Sequence, residues 1–160
     1  MTTAKAYFAK LDIPTYEVLA PDLHPILDKK LQPYPYPLQN NRSAAKRNVT
    51  YDVIKLENEF LEMTIIPSLG GRLYSMIDKR SGREILYRNA TIKPRMIGTR
   101  GAWFAGGIEF NFPISHSPNT MDRVNCTVRR NDDGSASVVF GNIELISGMN
   151  WKVELRLHLG

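Results

Sequence analysis

The fold class this sequence predicts is mainly β: antiparallel sheets packed as a sandwich. The clearest support lies near the end, where Trp151, Val153, Leu155, Leu157 and Leu159 alternate with Lys152, Glu154, Arg156 and His158. A period of two puts apolar side chains on one face and charged ones on the other, as in a half-buried strand. Further support comes from Asn131-Asp132-Asp133-Gly134-Ser135, which has the composition of a hairpin turn and sits between two apolar runs. No segment offers a long apolar period of 3.6 residues, so a helix would have no face to bury.

Residues 1 to 48 stand apart from the rest. They hold six of the ten prolines, at positions 14, 21, 25, 33, 35 and 37. Proline fixes φ and removes a backbone donor, which predicts an extended, irregular arm. Its apolar residues (Tyr7, Phe8, Leu11, Ile13, Tyr16, Val18, Leu19, Leu23, Ile26 and Leu27) are too many for a disordered tail. The arm is therefore expected to strap across the body, with one short helix near His24 to Leu31. Tyr34-Pro35-Tyr36-Pro37 fits a wrapping arm better than a partner's recognition peptide.

From residue 49 to 160 the pattern is β. Tyr51 to Glu57 reads as a strand, and Asn58-Glu59 as a tight turn into Phe60 to Ile66, which Pro67 ends. Leu73 to Ile77 follows the Gly70-Gly71 pair, and Asp78 to Gly82 reads as a turn into a short strand, Glu84 to Arg88. Val124 to Arg130 and Ser137 to Leu145 flank the hairpin turn. Gly160 comes directly after the last strand, and an apolar-faced strand at an uncovered edge is a template for pairing. Residues 49 to 160 are thus expected to be the N-terminal part of a larger sandwich, with self-association through its exposed strand edges.

Composition narrows the function. With 42% hydrophobic and 23% charged residues, the 160-residue chain has ordinary globular make-up. It has no run of eighteen apolar residues to span a membrane and no apolar core of signal-peptide length at its start. A single cysteine, Cys126, fits a reducing compartment, and the cytoplasm is the expected location. Net charge is +5, but Arg42, Lys46, Arg47, Lys79, Arg80, Arg83, Arg88, Arg129 and Arg130 lie in separate segments, which argues against nucleic acid. Metal is disfavoured because His24, His116, His158 and Cys126 lack ligand spacing. The glycines match no phosphate-binding loop, so no cofactor is expected.

The chemistry concentrates in Gly101-Ala102-Trp103-Phe104-Ala105-Gly106-Gly107-Ile108-Glu109-Phe110-Asn111-Phe112-Pro113-Ile114-Ser115-His116-Ser117-Pro118. Glycines let a backbone approach a ligand, aromatics give flat apolar surfaces, and Glu, Asn and His exchange hydrogen bonds and protons. The mixture suits the wall of a sugar site. Glu109 is the leading residue. An apolar surround would raise its pKa and suit it to acid or base work, unless it is a structural partner of Arg72 or Arg100. His116, seven residues on, is either a second proton-transfer group or a plain turn residue. Arg72 could hold hydroxyls or make a structural salt bridge. Trp103 could stack on a sugar or join the core, and Asn111 could bind hydroxyls or tie down its own loop.

Several segments in order resemble the galactose mutarotase-like superfamily of β-sandwiches. They are Leu56-Glu57-Asn58-Glu59-Phe60-Leu61, Ile65-Ile66-Pro67-Ser68-Leu69-Gly70-Gly71-Arg72-Leu73-Tyr74-Ser75, and Gly82-Arg83-Glu84-Ile85-Leu86-Tyr87. More narrowly, Ile92-Lys93-Pro94, Gly101-Ala102-Trp103, the run from Gly106 to Pro113, His116 and Asp133-Gly134-Ser135 are similar to an uncharacterised bacterial family. In that family a mutarotase-like sandwich precedes tetratricopeptide repeats. The resemblance covers roughly residues 50 to 160. It implies a mutarotase-like supersandwich of which this chain is the front portion, and a sugar or oligosaccharide as ligand. In mutarotases the catalytic Glu lies far downstream of the catalytic His, an arrangement this chain lacks. Two functions therefore stay open: acid/base chemistry at an anomeric centre (epimerase or glycoside hydrolase), and a non-catalytic sugar-binding or scaffold module of a repeat protein.

Overall fold

A computed structural model of the chain describes residues 3–20, 35–98, 100–113 and 116–159. Strands β1 (Lys5–Thr15), β2 (Arg47–Glu57), β3 (Leu61–Ile66), β4 (Arg72–Asp78) and β5 (Arg83–Glu84) form one antiparallel sheet in chain order. A ribbon of β6 (Arg95–Gly98) and β7 (Gly101–Trp103) follows. Strands β8 (Asn125–Arg130), β9 (Ala136–Ile143) and β10 (Asn150–Leu157) form a second antiparallel sheet.

Four pairs of consecutive strands are set side by side by short turns that carry their own side-chain acceptor. Asn58 Oδ1 accepts the amides of Phe60 and Leu61 at 2.8 and 2.9 Å and folds β2 onto β3. Asp78 takes the Arg80 amide and the Ser81 hydroxyl at 3.0 Å each, between β4 and β5. Asp133 takes the Ser135 amide at 3.0 Å and its hydroxyl at 2.6 Å, between β8 and β9. The fully buried Glu144 takes the amides of Ile146 and Ser147 at 2.9 and 2.7 Å, between β9 and β10.

The two sheets face each other as a sandwich. Ile54, Leu56, Met63, Ile65 and Leu73 of the larger sheet pack on Ala136, Val138, Phe140 and Trp151 of the smaller. Gly71 lets the layers close: a Cβ there would lie 2.4 Å from the Phe140 ring, and its φ is +70°. On the other face of the larger sheet, Ile13, Val53, Ile66 and Tyr74 pack on Ile92 and Phe104. The middle of that sheet is thus covered on both sides, and Thr64 to Ile66 and Arg72 to Ser75 are continuously buried. Along β10, Trp151 is buried and Val153, Leu155 and Leu157 are half-buried, while Lys152, Glu154 and Arg156 face solvent, the alternation the sequence predicts.

Three expectations need adjustment. The arm is not irregular throughout, because Lys5–Thr15 is a strand paired residue by residue with β2. Pro14 is tolerated in it because β1 is an edge strand. Its carbonyl accepts the Ile92 amide at 2.9 Å, and a residue's N and C=O point the same way in a strand, so the missing N–H faces away from β2. The strand expected over Glu84 to Arg88 ends at Glu84, whose own carboxylate accepts the amides of Met76 and Leu86 at 2.7 and 3.3 Å. The β6–β7 ribbon has no counterpart in the sequence reading. The helix expected near His24 to Leu31 lies outside the described residues, as does Tyr34. Tyr36 is buried, its hydroxyl donating to Glu144 at 3.1 Å and accepting the Leu145 amide at 2.7 Å. No helix is long and apolar enough to cross a membrane, among the described residues.

Candidate functional site

The aromatic and glycine-rich segment folds over the start of β4. Ile108 bridges Leu73 in antiparallel fashion, donating its amide at 2.9 Å and accepting the Leu73 amide at 3.2 Å. Gly107 makes that approach feasible. Its φ is +68°, and a Cβ would meet the Leu73 carbonyl oxygen at 2.2 Å. This glycine therefore serves contact with the strand, not the ligand approach expected from sequence. It delivers Glu109, one residue beyond the bridge, to a fixed place beside the sheet.

Around Glu109 the segment closes on itself. Trp103 Nε1 donates to Glu109 Oε2 at 2.9 Å, and His116 Nδ1 lies 3.2 Å from the same oxygen. The Trp103 and His116 rings meet edge to face, with centroids 4.9 Å apart and planes at 60°. The Glu109 side chain is 11% exposed, and its other oxygen, Oε1, is buried without a well-formed hydrogen bond. His116 is more open, its side chain 36% exposed. Its φ of 52° is left-handed and uncommon outside glycine. The loop holds it there: Asn111 Oδ1 accepts the Ser117 amide at 3.3 Å, and the Ser117 hydroxyl donates to the Phe112 carbonyl at 2.8 Å.

Electrostatics run opposite to the simple expectation for Glu109. Burial pushes its carboxyl up. Hydrogen bonds from Thr120, Trp103 and His116, with the positive charge of Arg72, outweigh that and hold it below the ordinary glutamate range. Glu109 is therefore an ionised acceptor at neutral pH, not a carboxylic acid. An ionised carboxylate cannot donate, so the contact requires a hydrogen of His116 on Nδ1.

Arg72 is 2% exposed and lies behind this cluster. It donates to the Gly106 carbonyl at 3.1 Å and to the Thr120 hydroxyl at 2.9 Å, and its guanidinium stands 4.3 Å from the centroid of the Phe104 ring. Burial pulls its pKa down, while the charge of Glu109 works the other way. Arg100 is committed elsewhere. It pairs with Asp122 and donates to the carbonyls of Pro37 and Pro118 at 3.0 and 3.2 Å.

The structure thus brings Trp103, Glu109 and His116 together and places Arg72 as a buried brace behind them. Asn111 is exposed and secures the loop. Sequence reasoning missed Thr120, the hydroxyl that links Arg72 to Glu109. It is 48 residues from Arg72, and no spacing or motif marks it. Among the described residues no grouping of three or more His, Cys, Asp or Glu could hold a metal ion.

Comparison with known proteins places this architecture. The crystal structure of a TPR-domain containing protein from Parabacteroides distasonis ATCC 8503 is similar over 98% of this chain, at 32% identity and a TM-score of 0.87. The match takes in 27% of that protein, so this chain spans about a quarter of its length. A family model described as Domain of unknown function (DUF5107) matches residues 29–159, most of both sheets and all of the Trp103–Glu109–His116 cluster. On that match, the chain belongs to the family Domain of unknown function (DUF5107).

Proposed function

We propose that this domain binds a sugar or oligosaccharide at the Trp103–Glu109–His116 cluster. The observation that carries the reading is the Glu109 carboxylate: ionised, and fixed between the Trp103 indole and the part-exposed His116 ring. An ionised carboxylate at a partly exposed rim accepts hydrogen bonds from hydroxyls. Trp103 is half-buried and adds apolar surface, and the part-exposed His116 ring flanks the carboxylate. The sandwich fold and the resemblance to mutarotase-like proteins support a carbohydrate over other polyhydroxyl ligands. Arg72 and Asn111 act in this reading as the brace and the loop tie that position the cluster.

Binding without catalysis is the favoured form. Glycoside hydrolysis needs two carboxyl groups about the scissile bond, one of them protonated, and the cluster as described holds one ionised carboxylate. The Glu109–His116 contact favours one alternative, in which the oriented imidazole moves a proton at an anomeric hydroxyl. Isothermal titration with monosaccharides tests binding: Glu109→Gln and Trp103→Ala are expected to abolish the heat, and unchanged binding in both sinks the proposal. Polarimetry tests the alternative. Mutarotation that His116→Ala eliminates establishes catalysis, and rates equal to buffer refute it.

A further inference from the structure

The sequence scatters its basic residues, but the fold gathers three of them. Tyr16, Arg42, Ser43, Lys93 and Arg95 line a cleft of roughly 500 Å3, and among the described residues no carboxylate lines it with them. Three stretches of chain build its walls. Val18 bridges Arg42, with Leu19 donating to the Asn41 carbonyl and Ser43 to the Glu17 carbonyl at 2.9 Å each. On the other side Thr15 bridges Ile92, and the Tyr16 amide donates to the Ile92 carbonyl at 2.9 Å, which sets the course of Lys93 and Arg95. Arg42 ties the walls together by donating to the Pro94 carbonyl at 3.2 Å. Lys93 stands over the Tyr16 ring, its ammonium 5.0 Å from the centroid.

Basic residues on a convex surface are ordinarily just solvated. These sit in a concavity, where like charges focus the field and concentrate anions. Glu17 does not neutralise them, because both of its oxygens are held by Arg47. None of Arg42, Lys93 and Arg95 makes an ion pair among the described residues. One Arg42 nitrogen serves the Pro94 carbonyl, which fixes the side chain and leaves further N–H groups of its fork. Guanidinium forks, an ammonium and the polar wall of Asn40, Asn41 and Ser43 match the several oxygens of a phosphoryl group better than the two of a carboxylate.

We infer that this cleft is an anion site for a small phosphate monoester, separate from the Glu109 cluster. Isothermal titration of the chain with inorganic phosphate and glycerol 3-phosphate tests it, with glycerate as the carboxylate counterpart. Saturable binding of the two phosphates is expected, weakening as salt is raised. Arg42→Gln and Arg95→Gln should each reduce affinity about tenfold, the loss of one charge-assisted bond. Arg130→Gln, which removes a charge outside the cleft, should leave affinity unchanged. Should Arg42→Gln lower the melting temperature, Lys93→Gln serves in its place, since that side chain is exposed. Absence of heat, equal loss with Arg130→Gln, or glycerate binding as tightly as glycerol 3-phosphate would each overturn the inference.

Discussion

Glu109 shows a carboxylate whose burial is overruled by its neighbours. Its lowered pKa has a sign that can be tested. A depressed native pKa adds stability above the unfolded value of about 4.3, and that stability is lost as pH falls through the lower native value. Melting temperatures of the wild type and Glu109→Gln should therefore differ most above about pH 5 and converge in strong acid. A gap that widens on acidification would contradict the assignment. Gly107→Ala should destabilise by at least ~2 kcal/mol in chemical denaturation, from left-handed backbone and collision with the Leu73 carbonyl together. Trp103, Glu109 and His116 were legible in the sequence because they sit within one short segment, so their proximity needs no knowledge of the fold. The direction of the Glu109 shift was not, because it depends on Thr120 and Arg72, which only the packed sheet brings near.

Among the elements, three of the hairpins have acidic anchors, Asp78, Asp133 and Glu144. Asp133 is held at about 2 by the hydroxyl and amide of Ser135, with further help from Arg156. An NMR titration should find its carboxyl ionised well below pH 3, and Ser135→Ala should move it up toward the ordinary aspartate value of about 3.9. Phe140 on β9 fills the space between the layers, and Phe140→Ala should cost ~3–5 kcal/mol by denaturant unfolding. Strands with one wet face, such as β10, announce themselves by alternation. β1 did not, because both of its faces are used: Ala6, with Ala4 just before the strand, packs toward the smaller sheet, and Ala9, Leu11 and Ile13 toward the other side. Apolar residues of both parities then blur the period of two, and Pro14 completes the disguise. The β6–β7 ribbon was hidden for a related reason, since glycines at 98 and 101 give it no side-chain pattern.

At the scale of the whole molecule, the sandwich has open flanks. Among the described residues β10 pairs on one side only, and β1 meets Ile92 only at its far end along its outer side. Phe8 shares the face of Ala4 and Ala6 by alternation yet is 60% exposed, so apolar surface lies uncovered beside the β1 edge. Sedimentation velocity should show association that grows with concentration and that Phe8→Lys reduces; a concentration-independent monomer would exclude it. The antiparallel sandwich was readable from turns and alternation. The layering of Ile92, Phe104 and Met121 over the second face of the larger sheet was not, because that cover is made by loops held through short backbone bridges.

One of those bridges bears on how the domain would meet a ligand. The Leu73–Ile108 bridge fastens the loop one residue before Glu109 to a strand buried on both faces. Under the proposed reading, an arriving sugar would therefore order little chain at Glu109, since the entropy that loops commonly lose on association would already have been lost in folding. Selectivity would then belong to the folded domain itself: at Ile108 and Glu109 a ligand of the wrong shape would meet backbone already fastened to the sheet.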